Sequence, residues 1–217
     1  MIHADCKLVC FDMDGTLLDS MGYWHLSKIE LLLDLKLPLS PVGMPDILYR
    51  SFRDVLEYYR EKHGFACEWD DMIEKYRAVM YRWYRRGIDP KPGAREFLQR
   101  LQQEGIRVCV GTATDRNIAR EALEKAGMLE YIEFVTDIAE MGSGKENAAF
   151  FENLAARTGV ETGEILMFED ALYAMQGARS AGCGVVAIEE AASDREKDEI
   201  IAFADRYIRS YHELLND

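Results

Sequence analysis

Asp12 and Asp14 stand one residue apart where an apolar run, Leu8–Phe11, gives out. Residues i and i+2 of an extended chain project to the same side, so the two carboxylates share one side of a strand exit. Acids that close repel, and one carboxyl keeps its proton unless a cation intervenes. Such a pair offers one group able to attack as a nucleophile and another able to give or take a proton. The plainer reading of "DMDG" is a turn or helix cap, which aspartate and glycine both favour. The tetrapeptide alone does not decide between the two.

Three other stretches carry polar residues at the ends of apolar runs. "VGTATD" sets Thr112, a hydroxyl donor, at the end of one. "GSGKEN" sets Lys145 at the start of a helix, where backbone amides and a cation together attract phosphate. "LMFEDA" sets Glu169 and Asp170 at the end of another. Hard oxygen ligands from Asp12, Asp170 and Glu169 suit Mg²⁺. Taken singly, each has a bland explanation. Thr112 can be a small residue closing a strand, Lys145 a solvated lysine, and Glu169–Asp170 a pair facing a helix dipole. "GSGK" also lacks the earlier glycine of a Walker A loop, Ala139 standing in that position. Four strand-end signals on one sheet edge are harder to explain by capping alone, and together they point to a metal-assisted phosphate site.

Those residues need a scaffold, and the rest of the chain describes one. Strand-type runs recur at 7–11, 106–112, 132–136, 164–168 and 184–188. Four of them are almost continuously apolar, as strands covered on both faces are. Helical stripes lie between: Phe97, Leu98 and Leu101; Ile118, Ala122, Leu123 and Ala126; Phe151, Leu154 and Ala155; Leu172, Met175 and Ala178. Each stripe has i, i+3/i+4 spacing and is closed by a glycine, at 105, 127, 159 and 182 respectively. Strand and helix in alternation predict an α/β fold with a parallel sheet and right-handed crossovers. From about residue 20 to 88 the alternation stops and only helical patterns remain. One covers roughly Tyr23–Leu35, one carries Leu48, Phe52, Val55 and Tyr59, and one carries Met72, Ile73, Tyr76, Met80 and Trp83. "GIDPKPG" (87–93) then reads as a linker back to the sheet. Ligands of open α/β sheets bind beyond the carboxyl ends of the strands, where Asp12 and Asp14 lie and where the insert departs.

Composition sets outer bounds. The 217 residues can bury a real core without disulfides or metal. Twenty-six Lys and Arg against 39 Asp and Glu give a net charge of −13. That argues against nucleic acid or an anionic membrane as partner. Cys6, Cys10, Cys67, Cys109 and Cys183 are odd in number and contain no CxxC pair, so the expectation is reduced thiols and a cytoplasmic protein. No signal-peptide pattern or membrane-length apolar run is present. The stretch 189–199 reads as a solvated acidic helix, and the aromatic residues of 20–88 as packing for that insert.

"FDMDGTLLDS", Thr112, Lys145 and "FEDA" resemble, in order and spacing, the four motifs of the haloacid dehalogenase-like (HAD) hydrolase superfamily. The helical insert looks like the cap of its phosphoglycolate phosphatase and β-phosphoglucomutase branch. This resemblance implies a Rossmann-like parallel sheet core with helices on both faces, residues 1–19 plus 89–217, and an all-helical cap domain, residues 20–88. It implies that Asp12 attacks phosphorus to form an aspartyl-phosphate, and that Asp14 protonates the leaving oxygen and later deprotonates water. It implies Mg²⁺ held by Asp12, Asp14 (through its backbone carbonyl) and Asp170, with Glu169 close by. It further implies a phosphate-binding set of Gly15, Thr112, Ala113, Lys145 and Arg116. The expected activity is a Mg²⁺-dependent phosphatase for a small phosphorylated metabolite, with no nucleic acid or membrane partner and a monomeric state favoured.

Some residues depart from the branch pattern. Glu146 and Ala148 stand where prolines are usual after the motif lysine. Gly22 and Trp24 occupy positions where mutases carry a Glu and a His, and 41–48 holds no arginine. Hydrolysis is therefore preferred to a sugar-phosphate mutase, which stays as the alternative, and a non-catalytic phosphoaccepting or regulatory protein is a third reading.

Overall fold

A computed structural model describes residues 6–39, 52–66 and 68–216. Six strands, β1 (Leu8–Phe11), β2 (Arg107–Thr112), β3 (Phe134–Asp137), β4 (Ile165–Glu169), β5 (Gly184–Ile188) and β6 (Arg206–Ile208), form one sheet in the order β3-β2-β1-β4-β5-β6. Every neighbouring pair is parallel. The five predicted runs are the first five strands. The sixth, "RYI", is too short to show a period and was not predicted.

Alternation along β1 and β4 explains why these strands are apolar throughout. Leu8, Cys10, Ile165 and Met167 face a cluster with Phe150, Phe151, Leu154 and Met175. Phe11 and Phe168 stack on each other, ring centroids 4.7 Å apart, and pack on Phe97 and Tyr211. Helices thus cover both faces, and each buried aromatic contributes on the order of 1.5–3 kcal/mol. The glycines expected to close helices at 105, 127, 159 and 182 all have positive φ.

The chain divides into two compact units, Met1–Asp19 with Gly87–Asp217, and Ser20–Arg86. The second is helical where described: Met21–Asp34, Phe52–His63 and Trp69–Arg86. Its core is aromatic. Phe52 lies flat on Tyr76, centroids 4.1 Å apart and planes 15° apart, and the Tyr76 hydroxyl donates to the Trp24 carbonyl. Leu48 and the 41–48 segment fall outside the described residues.

In the α/β unit, the segments on either side of the insertion pair with each other. Leu18 and Pro90 form an antiparallel bridge, Asp19 N donates to Asp89 O, and Lys91 N donates to Leu17 O. The 87–93 linker is therefore an ordered return. It is fastened further by Lys91, whose Nζ donates to Glu190 Oε2 at 2.5 Å and to the Glu189 carbonyl at 3.1 Å. This corrects the expectation for 189–199: Glu190 is nearly buried, and the segment is a 3₁₀ turn, Ala191–Glu196, followed by a helix, Lys197–Phe203.

Candidate active site

The register that pairs Phe11 with Phe168 puts the next residues, Asp12 and Glu169, side by side. Asp12 N donates to Phe168 O at 2.9 Å, fixing the chain just past the end of β1. Lys145 comes from the loop preceding the helix Ala148–Thr158. This corrects the expectation that it opens a helix: Glu146 and Asn147 stand between it and the first turn, and Asn147 is the N-cap. Its ammonium donates to Asp12 Oδ1 and, at 2.7 Å, to Glu169 Oε2. Glu169 Oε1 accepts from the backbone N–H groups of Asp170 and Ala171 at 3.2 Å each, so both of its oxygens are engaged. Asp170 Oδ1 accepts from the Thr16 hydroxyl at 3.0 Å. Asp12, Lys145, Glu169 and Asp170 are all at most 5% exposed.

Two glycines make room for this cluster. Gly15 has φ +85°, and a Cβ there would stand 2.7 Å from Asp170 Oδ2. Only glycine combines that backbone with that approach. Gly177, inside the helix Leu172–Ser180, faces the lysine loop: a Cβ would stand 1.9 Å from the Lys145 carbonyl oxygen. Neither contact has a sequence signal stronger than an isolated glycine.

The electrostatics are those of a site built around a cation. Burial, then the charge of Glu169, pushes Asp12 up to about 8, against the pull of Lys145. Burial, with Glu169 and Asp12 nearby, also raises Asp170 well above the usual carboxylate range. For Lys145, burial opposes its charge, but Asp12 and Glu169 outweigh it and hold it well above the ordinary lysine value. One ammonium cannot neutralise three buried carboxylates once they all ionise. Asp12, Glu169 and Asp170 each offer an oxygen within 4.8 Å of the others. Carboxylate oxygens so clustered fit a hard divalent cation.

The other expected residues are placed as follows. Asp14 lies in the turn after Asp12, half-exposed, and its Oδ2 accepts from the Thr114 hydroxyl at 2.8 Å. Thr112 ends β2 and is buried; its Oγ1 accepts from Thr114 N at 3.0 Å. Ala113 is exposed between them. Arg116 is turned elsewhere: its guanidinium donates to Glu140 Oε1 at 2.6 Å, and its backbone N–H to Asp137 Oδ2. Thr16, Thr114, Gly177 and Glu169's contact with Lys145 were not anticipated. Thr114 was within the quoted "VGTATD", but nothing in the spacing linked it to Asp14.

A haloacid dehalogenase-like hydrolase family model matches residues 6–182. The chain belongs to that family. Among related HAD proteins, a phosphoglycolate phosphatase of Aliivibrio fischeri is 24% identical over 212 residues, covering 92% of this chain and 93% of its own. A phosphorylated carbohydrates phosphatase of Thermotoga maritima is 23% identical, covering 81% and 82%. The fold is also that of CbbY from Rhodobacter sphaeroides, solved in complex with phosphate, with a TM-score of 0.79, 18% identity and 96% of each chain covered. The expected enzyme class, a HAD phosphatase, agrees with these matches. No helix among the described residues is long and apolar enough to cross a membrane.

Proposed function

We propose that the protein is a Mg²⁺-dependent phosphatase that hydrolyses a small phosphorylated metabolite through an aspartyl-phosphate on Asp12. The observation that carries this reading is Lys145, buried and bridging Asp12 to Glu169 beside Asp170. A buried cation held between two carboxylates costs desolvation that a purely structural site gains little from. An anionic nucleophile that must approach an anionic phosphate needs such neutralisation.

Asp12 attacks phosphorus, the bond to the leaving oxygen breaks with its electron pair, and Asp14 gives that oxygen a proton. In the second half Asp14 takes a proton from water as the water oxygen attacks the same phosphorus. The Asp12–phosphorus bond then breaks and phosphate leaves. Thr112, Gly15, Ala113 and Lys145 hold the phosphoryl oxygens, and Glu169 orients Lys145. Arg116, committed to Glu140, is left out of this set. Asp12, Asp170 and the Asp14 carbonyl would hold Mg²⁺, with Glu169 beside it. Bound there, Mg²⁺ supplies charge neutralisation to the transferring phosphoryl group. Residues 20–88 are assigned the role of cap domain, and the protein is assigned to the cytoplasm.

Hydrolysis is preferred to mutase chemistry because Trp24, standing where a mutase carries its histidine, is packed on Tyr76 within the helical unit. Phosphate release from p-nitrophenyl phosphate with Mg²⁺ tests the proposal. Wild type should turn over, and Asp12→Asn should lose at least about 10²–10³ in kcat, by the scale of single transition-state contacts. Equal turnover by the two proteins would remove Asp12 as nucleophile. Conversion of β-glucose 1-phosphate with a bisphosphate activator but without phosphate release would favour the mutase. An aspartyl-phosphate persisting for hours would favour a phosphoaccepting regulator.

A further inference from the structure

Beyond β1 and β2, the register that pairs Phe11 with Val110 carries the two exit loops forward together. Asp14 and Thr114 meet there, 100 residues apart in sequence, with the threonine hydroxyl donating to Asp14 Oδ2 at 2.8 Å. Thr114 is 6% exposed, so packing restricts the side chain that makes this contact. Its backbone N–H meanwhile donates to Thr112 Oγ1 at 3.0 Å. That occupies a lone pair of the Thr112 hydroxyl and leaves the Thr112 proton for another acceptor. One residue therefore touches both the side chain assigned to proton transfer and a side chain assigned to gripping phosphate.

We propose that Thr114 is a positioning residue that fixes the Asp14 carboxyl for proton transfer and, through its backbone, aims the Thr112 hydroxyl. The proposal rests on the phosphatase reading above. The choice of a hydroxyl has a chemical reason. Asp14 must hold a proton when the leaving group departs and lack one when water attacks. A hydroxyl rotates, donating to the carboxylate and accepting from the carboxylic acid, so one partner serves both states. An ammonium or a backbone N–H can only donate, so neither could accept the hydrogen bond of the acid's own O–H. Without the contact the carboxyl loses one of the groups that orient it, and proton transfer suffers more than phosphate binding does.

The two roles separate by leaving group. Nitrophenolate departs with little protonation, whereas phenolate depends more on the acid. The test measures kcat and KM of Thr114→Val, Thr114→Ala and Thr114→Ser on p-nitrophenyl phosphate and phenyl phosphate, with Mg²⁺. Val and Ala should lose about tenfold more kcat/KM on phenyl phosphate than on p-nitrophenyl phosphate, a modest share of what general acids contribute, because kcat/KM reports the aspartyl-phosphate-forming half in which the leaving group departs. Ser should restore the wild-type ratio. The ratio of substrates within one preparation is independent of the fraction folded, so partial misfolding does not obscure it. Equal losses on both substrates, or a Ser variant behaving like Val, overturn the proposal. If wild type hydrolyses neither substrate, the phosphatase reading falls and Thr114's role with it. If wild type hydrolyses both and Asp12→Asn neither, an even-handed Thr114→Val overturns the positioning role alone.

Discussion

In the helical unit, Phe52, Val55, Leu56, Tyr59, Met72, Tyr76, Val79 and Met80 are buried, and Ser20, Ser27 and Lys28 are the buried polar residues among those described. In the α/β unit, Asp12, Lys145, Glu169 and Asp170 are buried as deeply as the strands that carry them. The first pattern is what stability selects, since each apolar side chain removed from water lowers the free energy of the fold. The second pattern runs against stability, because buried charges cost solvation even when paired. Where a molecule holds carboxylates raised first by burial and then by one another's charge, the arrangement answers to chemistry. The contrast predicts that substitutions in the two units will be felt in different measurements.

Phe52→Ala should have the largest effect, lowering unfolding free energy by about 3 kcal/mol as its stack on Tyr76 is lost. Urea unfolding would read this, and Mg²⁺ affinity of the folded protein should stay at the wild-type value. A fall in affinity parallel to the fall in stability would erase the distinction between the units. Gly177→Ala should do the reverse. With a Cβ 1.9 Å from the Lys145 carbonyl oxygen, the loop must move. Displacements of about 1 Å cost roughly 10²-fold in rate, while most of the unfolding midpoint should survive. Full phosphatase activity in this variant would show that the Lys145 loop tolerates the shift.

A third expected effect, spread thinly over several pH units, concerns pH. Asp12 is pushed up to about 8, so the cation-free native state binds a proton that the unfolded chain has already released. Stability from that proton is complete below the ordinary aspartate value and is lost as pH rises toward about 8, by at most about 1.4 kcal/mol per pH unit for one proton. Mg²⁺ replaces the proton, so thermal unfolding in chelator should fall with pH more steeply than unfolding in Mg²⁺. Identical slopes would mean that the carboxylates do not share a cation.

Sequence patterns carried the scaffold well because apolar periodicity is local. The first five strands, the helices between them and the helical insert all follow from spacing within a dozen residues. The strand-end positions of Asp12, Thr112, Glu169 and Asp170 followed too, since a buried strand has to stop where charges begin. β6 escaped notice because three residues, "RYI", show no period. Lys145 was set at a helix start because nothing local shows which residue of "GSGKEN" opens the helix. Thr16, Thr114 and Gly177 were missed for a different reason. Each matters through one contact to a residue more than 30 positions away, and such pairing depends on sheet register and helix facing. The pairing of Arg116 with Glu140, which follows the next strand, is of the same kind and has no local signal.

Leu18 and Pro90 are backbone neighbours, although 71 residues lie between them. The sheet therefore sees the entire helical excursion as a loop already closed at its neck. Loop-closure entropy grows only with the logarithm of length, so a longer, shorter or differently folded excursion would disturb the strands little. Sequence change within that excursion can then accumulate while the sheet keeps its geometry.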